Sequence, residues 1–251
     1  MASMPSEFVA IIPCLAERAA QGIVHALHVP RRGYKYEFGD LTVPSRFTGI
    51  SWENYMVFLT SLGDRHVRHF YNQGTLEIMS PSKNHDLFKK RLARLVESMA
   101  WKLKISIQCV GSMTVTSELT ERGFEPDESY YIAHEPIVRC KPDFEPDIDP
   151  PPDLIIEIEV SRNCSDKLAL YSAMKVPELW RYDGEQLSFF IRSKRGVYRA
   201  TDRSLAFPFL TINDLTPFLE KFNEVRENEV VTGFVRHAQK CWREYQKSSE
   251  T

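Results

Sequence analysis

One segment near the middle of the chain combines a strand pattern with acidic side chains. It reads PPDLIIEIEVS over residues 151–161. Because successive side chains of a strand point to opposite faces, the even positions from 154 to 160 form an apolar face, while the odd positions carry Glu157 and Glu159. Burying an unpaired carboxylate is costly, so this strand requires a cation, a lysine or solvent to compensate it.

Helical periodicity marks two segments before that strand. Residues 50–59, ISWENYMVFL, predict a helix capped by Ser51. Residues 80–103 predict a longer helix, because apolar side chains recur at i, i+4, i+7 and i+11. The apolar stripe of this longer helix consists of Phe88, Leu92, Leu95 and Met99.

Alternation and turn residues predict the remaining elements. Residues 66–79 form a hairpin through Gly74, and residues 177–191 form another through Asp183-Gly184. A helix over 165–176 stops at Pro177. Two further strands are predicted within 106–116 and 126–133, before the acidic strand within 152–160, and two amphipathic helices near 211–222 and 234–247.

This order of elements predicts an α/β or α+β fold in which helices flank a mixed sheet. An N-terminal hairpin and C-terminal helices extend that core. We predict three parts: an N-terminal extension of unknown role (1–48), a core domain (49–204) and a C-terminal helical appendage (205–251).

Composition narrows the class of protein. The 251 residues are 43% hydrophobic, which is enough for a sizeable core. No run of 18 apolar residues occurs, so no membrane span is predicted, and the N-terminus lacks the basic region of a signal peptide. Five scattered cysteines predict reduced thiols and a cytoplasmic location. A net charge of −2 excludes a globally basic nucleic-acid binder but not a local basic track.

Two charged residues are predicted to lie beside the acidic strand face. Asp127 follows Pro126, which marks the start of a neighbouring strand because proline cannot donate to a ladder. Lys167 falls in the first turn of the 165–176 helix, where a cation opposes the helix dipole at a cost of roughly 0.3–1 kcal/mol. An acidic strand face one short loop away explains that lysine.

Two polar residues are predicted to face the same region. His85 lies on the apolar stripe of its helix, one turn before Phe88, so it faces the sheet and not the solvent. Glu77 alternates with Leu76 and Ile78, so it is half-buried or faces a cleft.

Converging carboxylates with few thiols or histidines form an all-oxygen site suited to Mg²⁺ or Mn²⁺. The metal polarises a phosphoryl oxygen, and a lysine beside it can orient or deprotonate the attacking water. This set of residues favours phosphodiester hydrolysis.

Simpler interpretations compete with each feature. A pair of glutamates on an edge strand is often a solvated face, and a lysine such as Lys167 is often a surface residue. The histidine pairs 25/28 and 66/69 have a spacing compatible with zinc. Neither pair, however, has a matching second pair or a carboxylate partner near it. Serine-hydrolase and nucleotide-binding motifs do not occur.

Four stretches, taken in order, resemble the Uma2 family, also called DUF820, of bacterial proteins placed among the PD-(D/E)xK restriction-endonuclease-like nucleases. They are GTLEIMSPSKNHD, EPD, PPDLIIEIEVS and SDKLALYSAMKVPELWRYDG. The resemblance runs from about Ser51 to Tyr198. It implies a restriction-endonuclease-like core, with a four-stranded mixed sheet between helices, and a Mg²⁺-dependent active site.

The resemblance also assigns roles to residues. Asp127 and Glu157 match the two motif acids and would hold the metal, with the carbonyl of Ile158 as a third ligand. The superfamily places a lysine two residues after the strand acid; here that residue is Glu159, and Lys167 matches the family's helix lysine. Glu159 would bind a second metal or hold Lys167 in place.

The substrate would contact further residues. Glu77 and His85 match the family stretch LEIMSPS…H and would line the same cleft. DNA would reach that cleft along a basic helix face formed by Lys89, Lys90 and Arg94.

Three functions therefore compete. The first is a metal-dependent DNA endonuclease or exonuclease. The second is a catalytically inactive descendant of the nuclease fold that binds DNA or protein. The third is a structural homodimer module with the C-terminal helices as its interface. Asp127, Glu157 and Lys167 together favour the first, whereas Glu159 at the usual lysine position keeps the second open.

Overall fold

A computed structural model describes residues 45–62, 67–79, 81–159 and 167–249. The predictions for His25, His28 and His66, and for the start of a helix at Ser165, lie outside these residues. By its internal contacts the chain divides after Pro81 into two units, 1–81 and 82–251. The predicted core domain, 49–204, spans both.

The described part of the first unit contains three antiparallel strands and one helix. These are β1 (Ser45–Thr48), α1 (Trp52–Leu62), β2 (Arg68–Asn72) and β3 (Thr75–Met79), with β3 paired to both other strands. The predicted hairpin is confirmed: β2 and β3 meet at Gln73 and Gly74, whose φ values are 43° and 92°, as a two-residue hairpin turn requires. The predicted cap is also confirmed, because Ser51 Oγ accepts from the Asn54 amide at 3.3 Å.

The second unit is built on a six-stranded sheet. Its strands are β4 (Gln108–Cys109), β7 (Glu128–Tyr131), β8 (Leu154–Ile158), β9 (Glu178–Tyr182), β10 (Leu187–Arg192) and β11 (Tyr198–Thr201), in the order β11-β10-β9-β8-β7-β4. Only β8 and β9 run parallel among these neighbours. With six strands, the sheet is wider than the four strands implied by the resemblance. Two other strands of this unit, β5 (Val115–Ser117) and β6 (Arg122–Phe124), form an antiparallel pair.

Five helices complete the described part of the second unit. They are α2 (Lys83–Leu103), α3 (Glu135–Val138), α4 (Lys167–Ala173), α5 (Ile212–Lys221) and α6 (Glu227–Ser249). α4 lies in the connection between β8 and β9, as a parallel strand pair requires. The predicted mixed α+β fold with helices beside a mixed sheet is confirmed.

An apolar core joins most elements of the second unit. It takes Leu92, Leu95 and Met99 from α2, Ile156 from β8 and Trp180 from β9. The segment after residue 205 contributes to the same core through residues 207, 209, 210, 215, 219, 222, 230, 234 and 238. Across the residues that the structure describes, no helix has the length and apolar character needed to cross a membrane.

Candidate active site

The acidic strand face is neutralised by a lysine. Glu157, on β8, is 1% exposed. Lys167 Nζ lies 2.7 Å from its Oε2, and the Tyr171 hydroxyl donates to its Oε1 at 2.5 Å. Both partners come from α4. Of the compensations open to a buried carboxylate, the chain therefore uses a cation and a hydroxyl donor.

The spacing of Lys167 and Tyr171 explains why one helix serves both carboxylate oxygens. Residues four apart lie on the same face of a helix, one turn from each other. Lys167 stands at the first described residue of α4, where the helix dipole disfavours a cation. Its ion pair with Glu157 accounts for a cation at this position, because leaving the buried carboxylate without a partner would cost more than the unfavourable dipole.

Asp127 is brought to the same place by the register of β7 and β8. Glu128 pairs with Ile156, so one further step puts Asp127 opposite Glu157, and directly opposed residues of an antiparallel pair project on the same side. The Ile158 amide donates to Asp127 Oδ2 at 2.8 Å. This bond fixes the Asp127 carboxylate at the end of the acidic strand.

Burial and a second carboxylate both act on Glu157. Burial raises the pKa of Glu157, and the charge of Asp127 raises it further, whereas Lys167 and the Tyr171 hydrogen bond lower it. The net direction is upward. Two carboxylates that disfavour each other's charge are a feature of cation sites.

His85 stands beside Asp127. It lies in the first turn of α2, where Ser82 Oγ accepts from the His85 amide at 3.3 Å and caps the helix. Its Nε2 is 3.0 Å from Asp127 Oδ2. Within the described residues neither ring nitrogen has a hydrogen bond of good geometry, although the side chain is buried. A buried imidazole in this state keeps hydrogen-bonding capacity close to the Asp127 carboxylate.

Glu159 and Glu77 are placed differently. Glu159 Oε2 lies 3.6 Å from Arg181 Nε, so a cation other than Lys167 faces it. Glu77 belongs to the first unit, on β3, where its Oε1 lies 3.6 Å from Arg46 Nε. The roles predicted for these two glutamates stay predictions.

The basic face predicted on α2 is unevenly exposed. Lys89 is largely buried, with Nζ 3.6 Å from Glu128 Oε1, which is at odds with direct contact to a phosphate. Lys90 Nζ lies 3.7 Å from the same oxygen, but 76% of its side chain is exposed. Arg94 is half-exposed and pairs with Glu227 at 2.9 Å.

Sequence reasoning missed two contributors to the site. Tyr171 was not singled out within the helix predicted over 165–176, although its i+4 spacing from Lys167 could have indicated a shared partner. The Ile158 amide could not be found in this way, since its bond to Asp127 depends on the pairing of strands distant in sequence. The proposed role of the Ile158 carbonyl as a metal ligand stays a prediction.

The donor chemistry of the described cluster fits a hard divalent cation. Asp127 and Glu157 supply carboxylate oxygens, and each carboxylate has about four lone-pair positions, so the bonds from Lys167 and Tyr171 do not exhaust Glu157. Mg²⁺ prefers such oxygen ligands, with one or two carboxylates as its protein anchors.

Comparison with known proteins places the chain. The family model "Uma2: Putative restriction endonuclease" matches residues 52–222. The crystal structure of "a putative nuclease belonging to DUF820 from Anabaena variabilis ATCC 29413" is similar at 18% sequence identity and a TM-score of 0.47, covering 68% of this chain and 99% of that chain. No curated protein matches the chain. Because the family model spans more than half of the sequence, the chain belongs to the Uma2 family.

Proposed function

We propose that this protein is a Mg²⁺- or Mn²⁺-dependent DNA endonuclease that hydrolyses phosphodiester bonds. Membership of a family described as restriction endonucleases supports a nuclease-like role. The observation that carries the proposal is the buried pair of opposed carboxylates, Asp127 and Glu157, with Lys167 Nζ 2.7 Å from Glu157.

Asp127 and Glu157 are the residues that would hold the cation. When bound, the cation would polarise the phosphoryl oxygen and favour ionisation of the attacking water. Asp127 is held in place by the Ile158 amide, so its carboxylate is fixed before substrate arrives. Fixed ligands avoid a reorganisation cost at the moment of reaction.

Lys167 would position the water for in-line attack. Its ammonium group lies 2.7 Å from Glu157 Oε2, so it would stand beside a water held at that carboxylate. Tyr171 holds the opposite oxygen of Glu157 and so keeps the carboxylate oriented toward the lysine. Lys167, on α4, would thus take the role of the lysine that the superfamily pattern places two residues after the strand acid.

DNA would approach along the exposed cations of α2. Lys90 exposes most of its side chain and Arg94 about half, so both cations are accessible to a phosphate. Each phosphate contact releases a condensed counterion, so DNA affinity should fall steeply as salt is raised.

Plasmid cleavage in Mg²⁺ or Mn²⁺ tests this proposal. We expect cleavage by the parent protein and its loss in Asp127→Asn, Glu157→Gln and Lys167→Met, with DNA binding retained. Glu178→Gln is the matched control, because Glu178 is also fully buried with a raised pKa but is held by Trp180 and the Ala206 amide. It should keep activity if its circular dichroism matches the parent's.

A second candidate is a binding module that retains the fold without turnover. It is favoured by the way Lys167 and Tyr171 engage both oxygens of Glu157, which gives a self-neutralised site. No cleavage by the parent in either metal, together with salt-dependent DNA binding, would select this candidate. Cleavage that persists in all three site variants would place the chemistry elsewhere.

A further inference from the structure

The two C-terminal helices share a cluster of three metal-ligating side chains outside the carboxylate site. Asp214 lies in the first turn of α5, and His237 and Cys241 lie four residues apart on α6. One ligand atom from each residue falls within 4.8 Å of the others. Residues i and i+4 of a helix face the same way, so α6 presents a nitrogen and a sulfur together toward Asp214.

The distances in this cluster resemble the edges of a zinc tetrahedron. Zinc bonds of about 2.0–2.3 Å at tetrahedral angles put sulfur about 3.6 Å from each nitrogen or oxygen ligand, and nitrogen about 3.4 Å from oxygen. Cys241 Sγ lies 3.6 Å from Asp214 Oδ1 and 3.5 Å from His237 Nε2. The remaining edge, from His237 Nε2 to Asp214 Oδ1, is 2.7 Å, a hydrogen-bond length that would have to lengthen by about 0.7 Å around an ion.

Neighbouring groups already orient the Asp214 carboxylate. Thr211 donates to Asp214 Oδ2 through its amide at 2.8 Å and through its hydroxyl at 2.6 Å. These bonds turn the other oxygen, Oδ1, toward His237 and Cys241. On the far side of the imidazole, the Phe218 ring lies 5.7 Å from the His237 ring. Ligands of structural and catalytic metals are typically held by partners of this kind.

We propose that Asp214, His237 and Cys241 form a second metal site, selective for Zn²⁺ or a similar borderline-soft divalent ion, with water as the fourth ligand. A thiolate and an imidazole favour zinc over Mg²⁺, which prefers oxygen. All three side chains are partly exposed, so an ion can enter and solvent can complete the coordination. The ion would crosslink α5 and α6. This proposed site is independent of the proposed nuclease activity.

The competing interpretation is a hydrogen-bonded contact alone, in which His237 pairs with Asp214 and the Cys241 thiol donates to the same carboxylate. The two differ in whether sulfur becomes a ligand. Co²⁺ reports this directly, because a thiolate ligand gives an intense charge-transfer band in the near ultraviolet. The carboxylates of Asp127 and Glu157 offer only oxygen and cannot produce that band.

Titration of the full chain with Co²⁺, followed by displacement with Zn²⁺, tests the site. We expect one equivalent of Co²⁺ to produce the charge-transfer band and Zn²⁺ to abolish it. Cys241→Ser should remove the band, and His237→Gln should weaken Co²⁺ binding more than about tenfold, since even changes to outer partners cost 10- to 100-fold. Cys109→Ser and Cys140→Ser are matched controls at exposed cysteines and should keep the band.

Three results would overturn the proposal. One is the absence of a charge-transfer band in the parent protein. Another is a band that survives in Cys241→Ser, which would assign the thiolate to another cysteine. The third is a band lost equally in either control variant. Thermal melting with and without Zn²⁺ adds an independent readout, because Zn²⁺ should raise the melting temperature of the parent and not that of Cys241→Ser.

Discussion

At the scale of single residues, Glu157 shows how a carboxylate is accommodated inside an apolar core. Its carboxylate has lost water and instead contacts one ammonium group and one hydroxyl group. A buried ion pair of this kind adds little net stability compared with an apolar pair, but losing one partner leaves an uncompensated charge. The stability of the fold therefore depends on Lys167 remaining charged beside Glu157.

Replacing that lysine tests this dependence. Lys167→Met should lower the free energy of unfolding by about 3–5 kcal/mol, because it strands a buried carboxylate. Urea denaturation measures the change. Lys240→Met is the matched control: Lys240 pairs with Glu244 at 3.8 Å on the surface, so its loss should be nearly silent. Equal effects in both variants would contradict the buried pair.

Tyr171→Phe should destabilise the protein in a pH-dependent way. Burial raises the pKa of Glu157 and the Tyr171 hydrogen bond lowers it, so the variant raises that pKa further. Above the folded pKa the variant loses a bond to a charged group, about 1.5–3 kcal/mol, and below it a bond to a neutral one, about 0.5–1.5 kcal/mol. The destabilisation should shrink as the pH falls.

Urea melts at several pH values provide the measurement for Tyr171→Phe. The matched control is Tyr182→Phe, because the Tyr182 hydroxyl donates to the neutral Gly184 carbonyl at 2.8 Å. Its destabilisation should not change with the titration of Glu157. A loss in Tyr171→Phe that is constant across the pH range would refute the charged bond.

At the scale of elements, two helices end in the same unfavourable way. Lys104 ends α2 with a φ of 57°, and Lys175 follows α4 with a φ of 61°. In each case the amide of the next residue donates a hydrogen bond to the carbonyl five residues earlier. These bonds run from Ile105 to Ala100 and from Val176 to Tyr171. This is the helix end at which glycine is preferred, since a side chain is strained at positive φ.

Lys104→Gly should stabilise the protein by about 0.5–1 kcal/mol, because it removes the strain of a left-handed lysine. Lys102→Gly, two residues earlier and also exposed, should destabilise it by about 1 kcal/mol, because that residue is helical. Thermal and urea denaturation should therefore show a change in the free energy of unfolding of opposite sign in the two variants. Destabilisation by both would show that the α2 end does not depend on backbone strain.

Elements were more predictable than the contacts between them. The turn at Gly74 and the alternation around Glu157 are local signals, and both predicted the observed strands. The pairing of Asp127 with the Ile158 amide depends on register between strands about thirty residues apart, which no local pattern contains. The burial of Lys89 against Glu128 likewise follows from the packing of α2 on the sheet.

At the scale of the whole molecule, the segment predicted as a C-terminal appendage is part of the main core. Phe207, Leu215 and Phe234 are fully buried among residues of the sheet and α2. Arg91, on α2, donates to the Phe222 carbonyl and to Asn223. The sheet that carries the carboxylate site thus gains one of its apolar covers from residues after 205.

Deleting residues 205–251 should therefore abolish cooperative unfolding and leave a compact state that binds hydrophobic dyes. Near-ultraviolet circular dichroism and dye fluorescence measure both effects. Ending the chain after Tyr245 is the control, since residues 246–249 are exposed and make no part of the core. A cooperative transition in the larger deletion would contradict the shared core.

The acidic strand also matters before the protein folds. Residues 154–160 form a short, strongly apolar, β-branched segment of the kind that aggregates when exposed. In the nascent chain Glu157 and Glu159 are hydrated and charged, and charges inside such a segment oppose intermolecular strand pairing. The carboxylate that is costly to bury in the folded core thus opposes aggregation of the chain during synthesis. Glu157→Gln removes one of these charges, so that variant should be produced slowly and at low temperature to obtain soluble protein.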